Sequence, residues 1–313
     1  MCVQNPLVSI VLLTFRRPQE IERNVKNLLT IDYDPIEIII VNNGDVEDLR
    51  ELPFDDKRLL VLNLESNIGV GARNKGIRAS SGPFVVTLDD DVFDFNAESI
   101  QIALKRFSVD PDLCAINFKI VDDLTEQQVN WIHHKKIEEF HNVEFETYEI
   151  SEGAVIFRKD LILNTKLYPD FFFISHEGPD LALQIMKTGA TIIYCPSIIV
   201  RHSHAEGGRL NWRRYYYDTR NQIWLAARHY PVSIAIRKLF VGMGAMLAYS
   251  IRDGFLRYYF KGIIDGLCGL KSVVEQRAAL SGEARNRYLA IEKENPSIWY
   301  MFKKRIFTRK VRI

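Results

Sequence analysis

One stretch constrains the fold more than any other. Val85-Val86-Thr87-Leu88 runs without polar alternation straight into Asp89, Asp90 and Asp91. A β-branched run of this kind is a strand covered on both faces, which calls for helices above and below a sheet. Its carboxyl end is where open α/β sheets hold their ligands. Three adjacent carboxylates repel one another, so a cation or a set of donors must neutralise them. Hard oxygen ligands suit Mg2+ or Mn2+ bound together with phosphate oxygens. The structural alternative is an acidic turn that caps the next helix.

The same grammar recurs upstream. Residues 8–13 form a buried strand that ends at Thr14-Phe15-Arg16-Arg17-Pro18, after which Ile21, Val25, Leu28 and Leu29 fall at helical spacing. Residues 36–41 run into Asn42-Asn43-Gly44-Asp45, residues 59–62 make a third short strand, and residues 67–76 open a helix through Gly69 and Gly71. The expected class is α/β, a mostly parallel sheet flanked by helices, with its loops converging on one edge. There Thr14 and Arg16 offer a hydroxyl and a guanidinium, and Asn42 and Asp45 can read a base or ribose. Arg73 and Lys75 add positive charge beside helix N–H groups. The dinucleotide-binding G-x-G-x-x-G and the P-loop G-K-[ST] are absent from these turns, which weakens dehydrogenase and ATPase readings.

Further on, residues 97–107 read as a helix and 114–121 as a strand. The polar segment 122–149 carries Trp131, His133, His134 and His141. Adjacent histidines point apart, so a loop lining an acceptor fits it better than a metal site. Gly153 opens the strand 151–157 at a place where a ligand or backbone can approach closely. Glu177 and Asp180 follow the bulky run 171–174. Poor solvation there raises a carboxylate's pKa and suits a general base, while Asp180 is equally suited to supporting the start of the helix. His202 or His204, just past short strands at 192–194 and 198–200, can return to the acids and complete a metal's coordination.

Net charge is only +1, yet residues 1–200 hold 19 Lys/Arg against 32 Asp/Glu, and residues 201–313 hold 22 against 8. The two parts face different partners. We therefore expect a domain over residues 1–230 and a helical, basic region over 231–313. Cys2, Cys114, Cys195 and Cys268 form no C-x-x-C pair, which points to a reducing compartment, and the start of the chain lacks a secretory pattern. A cytoplasmic location is the expectation. Residues 239–249 give eleven apolar or small positions between Arg237-Lys238 and Arg252, short of the roughly 20 that cross a bilayer. With the stripe Leu256, Tyr259, Phe260, Ile263, Ile264 and Leu267 and the aromatic-basic run 299–307, this predicts peripheral binding to an anionic membrane surface at the inner face of the cell membrane, or a homo-oligomer. No nucleic-acid recognition motif is present.

Together these motifs resemble the family 2 glycosyltransferases of the GT-A fold, over about residues 7–230. Residues 8–17 resemble the first strand with its T-[FY]-x-R loop, 38–45 the V-[DN]-N element, and 67–76 the N-x-G-x-x-x-A-R-N-x-G segment. Residues 88–92 resemble the D-x-D strand end, 153–158 the acceptor-side strand, and 171–183 the E-D-x-D-L region. His202 stands where a late metal-binding histidine falls, and Arg220-Asn221 resembles the R-N helix. The resemblance, closest to bacterial polysaccharide and rhamnosyltransferase-like members, implies transfer of a hexose or deoxyhexose from a nucleotide-diphosphate donor with inversion. The acceptor is a hydroxyl of a glycan or lipid-linked acceptor. It implies a divalent ion held by Asp91, with Asp89 and His202. Thr14, Phe15, Arg16, Asn42, Asn43, Asp45, Asn67, Gly69, Arg73, Asp89 and Asp90 lie around the nucleotide sugar, and Gly153 and Trp131 on the acceptor side. One departure stands out: the family's acid after Glu177 is Gly178 here, leaving Glu177, or else Asp180, as the base. A sugar-nucleotide nucleotidyltransferase is the rival enzyme, although its glycine-rich triphosphate loop is missing after the first strand. A nucleotide-sugar-binding assembly subunit that lost catalysis at Gly178 is the non-enzymatic alternative.

Overall fold

A computed structural model describes residues 5–44, 53–203, 212–297 and 299–300. Asp45, His204 and residues 301–307 of the aromatic-basic run lie outside the described residues. In chain order the elements are β1 (Val8–Thr14), α1 (Pro18–Leu29), β2 (Ile36–Asn42), β3 (Leu59–Asn63), α2 (Ala72–Ala79), β4 (Phe84–Asp89), β5 (Val92–Phe93), α3 (Ala97–Val109), β6 (Leu113–Asp122), α4 (Ile137–Phe140) and β7 (Phe145–Glu146). They continue with β8 (Ala154–Arg158), α5 (Lys159–Ile162), α6 (Glu177–Lys187), β9 (Thr191–His202), α7 (Trp212–His229), α8 (Val232–Arg252), α9 (Leu256–Cys268), α10 (Leu270–Val274) and α11 (Gly282–Lys293).

The strands lie side by side as β3-β2-β1-β4-β8-β6-β9-β5, with β7 also on β9. The β1, β2, β3 and β4 group is parallel, as is β6 with β9. Around these long parallel registers the antiparallel pairings are short: β8 runs antiparallel between β4 and β6, and β5 and β7 run antiparallel to β9. No crossover helix precedes β8. It starts where β4 ends, so residues 152 and 153 arrive beside the acids rather than at the far side of the sheet. The two late strands are one, β9, whose register against β6 jumps from Cys195 opposite Phe118 to Ile199 opposite Lys119, a bulge that accommodates Pro196.

Alternate side chains of the central strands feed two cores. Ile10, Leu12, Ile38, Ile40, Val86 and Leu88 meet α1 and α3, whereas Val11, Ile39, Val41 and Val85 meet Ile77 of α2 and Leu181 and Ile185 of α6. Pro18 starts α1 at a position where its missing N–H costs nothing, and the Asn96 side chain accepts from the Ser99 N–H at 3.0 Å to cap α3. Helix α6 begins at Glu177, four residues before the apolar run that announces it, since Glu177-Gly178-Pro179-Asp180 form its acidic first turn.

A third core joins Phe172, Leu183 and Met186 to Trp224 and Leu225 of α7, Ile234 of α8, Val273, Leu280 and Tyr288. Packing therefore runs continuously through position 230, and α7 lies with the helices that follow it. Helix α8 is 21 residues long and apolar enough, by length and composition, to cross a membrane. It exceeds the eleven-residue apolar run because its flanks are also helical.

Candidate active site

The carboxyl ends of β1, β4 and β9 meet at one corner. Thr14 Oγ1 donates to Asp90 Oδ2 at 2.7 Å, and the Arg17 guanidinium reaches Asp90 Oδ1 at 2.9 Å while also pairing with Asp91. His202 Nε2 stands 3.3 Å from Asp91 Oδ1. The buried Asn24 amide of α1 donates to the Val92 carbonyl at 2.8 Å and, at 3.3 Å each, to those of Asp89 and Asp90, which fixes the turn. Burial pushes Asp90 up to about 6, a rise that its hydrogen bond from Thr14 opposes. Burial acts the same way on Asp91, but the His202 contact and the Arg17 charge outweigh it and bring Asp91 down to about 2. His202 moves the other way, raised by Asp91 against the cost of its own burial.

The arginine in this corner is Arg17. Arg16 is exposed, has φ +58°, and lays its guanidinium over the Phe15 ring 5.0 Å away. The contact with the acids is made by its neighbour Arg17. The spacing T-F-x-R already points to Arg17, because counting from Thr14 makes Arg16 the x.

Asp89 is the most exposed of the three acids and pairs with Arg73, which is itself buried on α2. Gly153 lies against it: a Cβ at 153 would stand 2.2 Å from Asp89 Oδ2. The glycine expected on the acceptor side thus makes room for the Asp89 carboxylate. Asn43, Asn67 and Gly69 come together as scaffold. Asn43 Oδ1 accepts from the Ile68 N–H at 3.0 Å, its amide donates to Asn67 Oδ1 and to the Gly69 carbonyl at 3.1 and 3.0 Å, and Asn67 Oδ1 accepts the Gly69 N–H at 2.9 Å. Gly69 has φ +68° and would drive a Cβ to 2.0 Å from the Phe173 carbonyl oxygen. Asn42 donates to Asn63 Oδ1 at 2.8 Å, tying β2 to β3. These residues hold the backbone turns that follow β2 and lead into α2.

On the other side of Gly153 stands a second acidic group. Glu177 is only 7% exposed, and its Oε2 has no hydrogen-bond partner among the described residues. Burial, reinforced by the charge of Glu152, raises its pKa well above the usual carboxylate range. Burial also lifts Glu152, to about 7, although Arg73 opposes the rise. Glu152 was not singled out in the sequence, where only its position just before Gly153 marks it. The segment leading into α6 is strained, with Phe173, Ser175 and His176 all at positive φ.

Asp180 takes the structural of its two expected roles. It is fully buried, accepts from Arg228 at 2.8 Å and Gln184 at 2.7 Å, and contacts His229 Nε2 at 2.7 Å, so it locks α6 to α7. Enclosed on all sides, it cannot meet an acceptor. Trp131 is likewise engaged elsewhere: its Nε1 donates to the Lys135 carbonyl at 2.8 Å and its ring meets His133, Phe145 and Tyr194 edge-on. The segment 122–149 is therefore an aromatic cluster around buried His133 more than a polar loop, because its rings alternate with charges too irregularly to announce a core. Arg220 and Asn221 donate to the Phe172 carbonyl at 2.7 and 3.0 Å and so hold the strained segment from α7.

Among the described residues no three His, Cys, Asp or Glu side chains stand close enough to hold a metal ion by themselves. The chemistry of the pair Asp91 and His202 nonetheless fits a divalent ion, a carboxylate oxygen and an imidazole nitrogen at adjoining strand ends. Arg17 supplies the positive charge to the same carboxylates.

Comparison with known proteins agrees with this geometry. Residues 9–164, about half the chain, match the family model described as Glycosyl transferase family 2. A poly-beta-1,6-N-acetyl-D-glucosamine synthase of Staphylococcus aureus is 31% identical over 113 residues, 35% of this chain and 27% of that one. A glucosyl-dolichyl phosphate glucuronosyltransferase of Haloferax volcanii is 25% identical over 62% of this chain and 68% of its own. The chain spans between 14% and 28% of the length of three groups of bacterial relatives that it matches. A mannosyltransferase of Pyrobaculum calidifontis, solved with GDP-Man and Mn2+, superposes with a TM-score of 0.54 at 15% identity, over 98% of this chain and 89% of that one. The mixed sheet, its acidic corner and the matched motifs lead to one conclusion: through residues 9–164 the chain belongs to glycosyl transferase family 2, with the GT-A fold.

Proposed function

We propose that the chain transfers a hexosyl or deoxyhexosyl group, with inversion, from a nucleoside-diphosphate donor to a hydroxyl of a glycan or lipid-linked acceptor in surface polysaccharide synthesis. The observation that carries this reading is the corner itself, where Thr14 and Arg17, Asp90 and Asp91, and His202 converge from three strand ends. Carboxylates and an imidazole beside an arginine are what a metal-bound diphosphate requires. Asp91 and His202 would hold Mg2+ or Mn2+. When bound, the ion neutralises charge on the departing diphosphate. Arg17 adds a second positive group there, and Arg73 holds Asp89 for the ribose or the metal. A carboxylate on the far side of Gly153 takes the acceptor's proton.

The membrane reading rests on the exposed faces of two helices. Ile236 and Phe240 of α8 and Phe260, Ile264 and Leu267 of α9 are each at least half exposed. A bilayer surface with lipid-linked acceptors would cover them, which makes cytoplasmic, peripheral attachment our proposal. The relative named for a dolichyl-phosphate-linked sugar supports a lipid-linked acceptor.

Thermal unfolding with a panel of nucleotide sugars, with and without Mn2+, tests the donor proposal. Binding at 100 times Kd adds about 2.7 kcal/mol. We expect a UDP- or GDP-sugar to raise Tm only with the metal, and Asp91→Asn to remove that rise. A panel with no metal-dependent rise would overturn the proposal.

A further inference from the structure

The departure at Gly178 has a physical cause. A Cβ built there would stand 2.2 Å from Glu152 Oε1 and 2.3 Å from the Ile150 carbonyl oxygen. The segment entering β8 thus runs so close to the first turn of α6 that position 178 cannot carry a side chain, and the Glu152 carboxylate fills the space where one would begin. Resting on the transferase reading above, we infer that Glu152 is the general base of the transfer, supplied by the turn before β8 instead of the helix.

Three further observations carry the assignment. The first is placement: Gly153 touches Asp89 of the donor corner, and its neighbour Glu152 touches α6. Two consecutive residues therefore bridge the acidic corner and the first turn of α6, with Glu152 on the α6 side. The second is anchoring: Thr87 Oγ1 donates to the Glu152 carbonyl at 2.6 Å, and the Asp89 N–H donates to the Gly153 carbonyl at 3.2 Å. The backbone at 152 is thereby held to β4, so the carboxylate is presented from a rigid element. The third is its neighbour: Glu177 is nearly enclosed and leaves Oε2 without a partner among the described residues. Burial raises both carboxyls and the Glu152 charge raises Glu177 further, so the two share a proton more readily than they both ionise. Glu152 is the more exposed of the two, so Glu177 keeps the proton and Glu152 receives the new one.

The step balances as follows. The acceptor hydroxyl gives its proton to a Glu152 oxygen while its own oxygen forms the bond to the anomeric carbon. The bond from that carbon to the diphosphate oxygen breaks, and its electron pair leaves on the diphosphate. Glu152, now neutral, returns the proton to water.

The test uses the full chain with UDP-N-acetylglucosamine or GDP-mannose, whichever raises Tm with Mn2+, and follows hydrolysis of that donor, in which water takes the acceptor's place. Glu152→Gln should keep the donor-dependent rise in Tm and lose about 10²–10⁴-fold in turnover. Glu177→Gln, which copies a protonated acid, should stay within about tenfold of the wild-type rate. Formate should restore turnover to Glu152→Ala and leave Glu177→Ala unchanged. If Glu152→Gln turns over within about threefold of wild type, or formate rescues Glu177→Ala alone, the base is not Glu152. A wild-type chain that neither binds nor hydrolyses any activated sugar would overturn the transferase reading itself, and the base with it.

Discussion

His133 illustrates how burial at one residue becomes a pH response of the whole protein. It is enclosed by Trp131, Phe145 and Tyr194, with one polar contact, Nδ1 to Thr147 Oγ1 at 3.2 Å. Burial brings its pKa down to about 3. Above pH 6.5 the imidazole is neutral whether folded or unfolded and makes no difference. Below it the unfolded chain takes up a proton that the folded chain refuses until about pH 3, so stability is lost as the pH falls through that window. The difference amounts to about 2 kcal/mol at pH 5. Tm should accordingly fall more steeply between pH 7 and 5 for wild type than for His133→Phe, a comparison that calorimetry makes directly. Parallel slopes would place the acid sensitivity elsewhere.

Asp180 and Gly178 show where residue identity alone reached its limit, whereas the T-F-x-R spacing separates Arg17 from Arg16. Asp180 offered two roles with the same local chemistry, and only Arg228 and His229, almost fifty residues on, separate them.

At the scale of elements, the contact between α6 and α7 is the joint to test. Asp180 answers a buried Arg228, whose side chain is 3% exposed. Asp180→Ala leaves that guanidinium enclosed without its counter-charge, and removing one partner of such a pair costs about 3–5 kcal/mol. We expect a large fall in Tm, measured by thermal unfolding. Asp180→Asn, which retains an acceptor, should lose less. The contact between β4 and β8 is the other joint, because Gly153 decides whether Asp89 can keep its position beside Arg73.

Strand and helix positions follow the apolar periodicity closely for β1, β2, β4 and α1. The orientation of β8 does not, since a buried strand has the same side-chain pattern in either direction. Helix α6 starts earlier than its apolar stripe because a first turn is defined by backbone N–H groups that need acidic neighbours rather than apolar ones.

In the whole molecule, charge polarity and exposed apolar faces lie in the same region. The basic part of the chain folds as α7 to α11 against α6, and several of its cations are already matched, Arg237 and Lys238 to Glu292 and Lys261 to Asp265. Among the described residues an apolar row on α8 and α9 is left exposed. Flotation with anionic liposomes should carry the wild type upward at low salt. Replacing Phe240 and Phe260 with Ser should leave most protein at the bottom without changing Tm, as both rings are at least half exposed. Flotation unaffected by the double substitution would overturn membrane attachment through this face.

By itself the sequence determined the strands β1 to β4, that an acidic corner follows β4, and to which family these motifs are similar, because each depends on periodicity or spacing within one short stretch. The tertiary structure decided which of two carboxylates supports the helix, and why position 178 has no side chain. Those answers depend on distances between residues far apart in the chain. A pattern along the chain records what each segment prefers, whereas only packing brings Glu152 to the space beside Gly178.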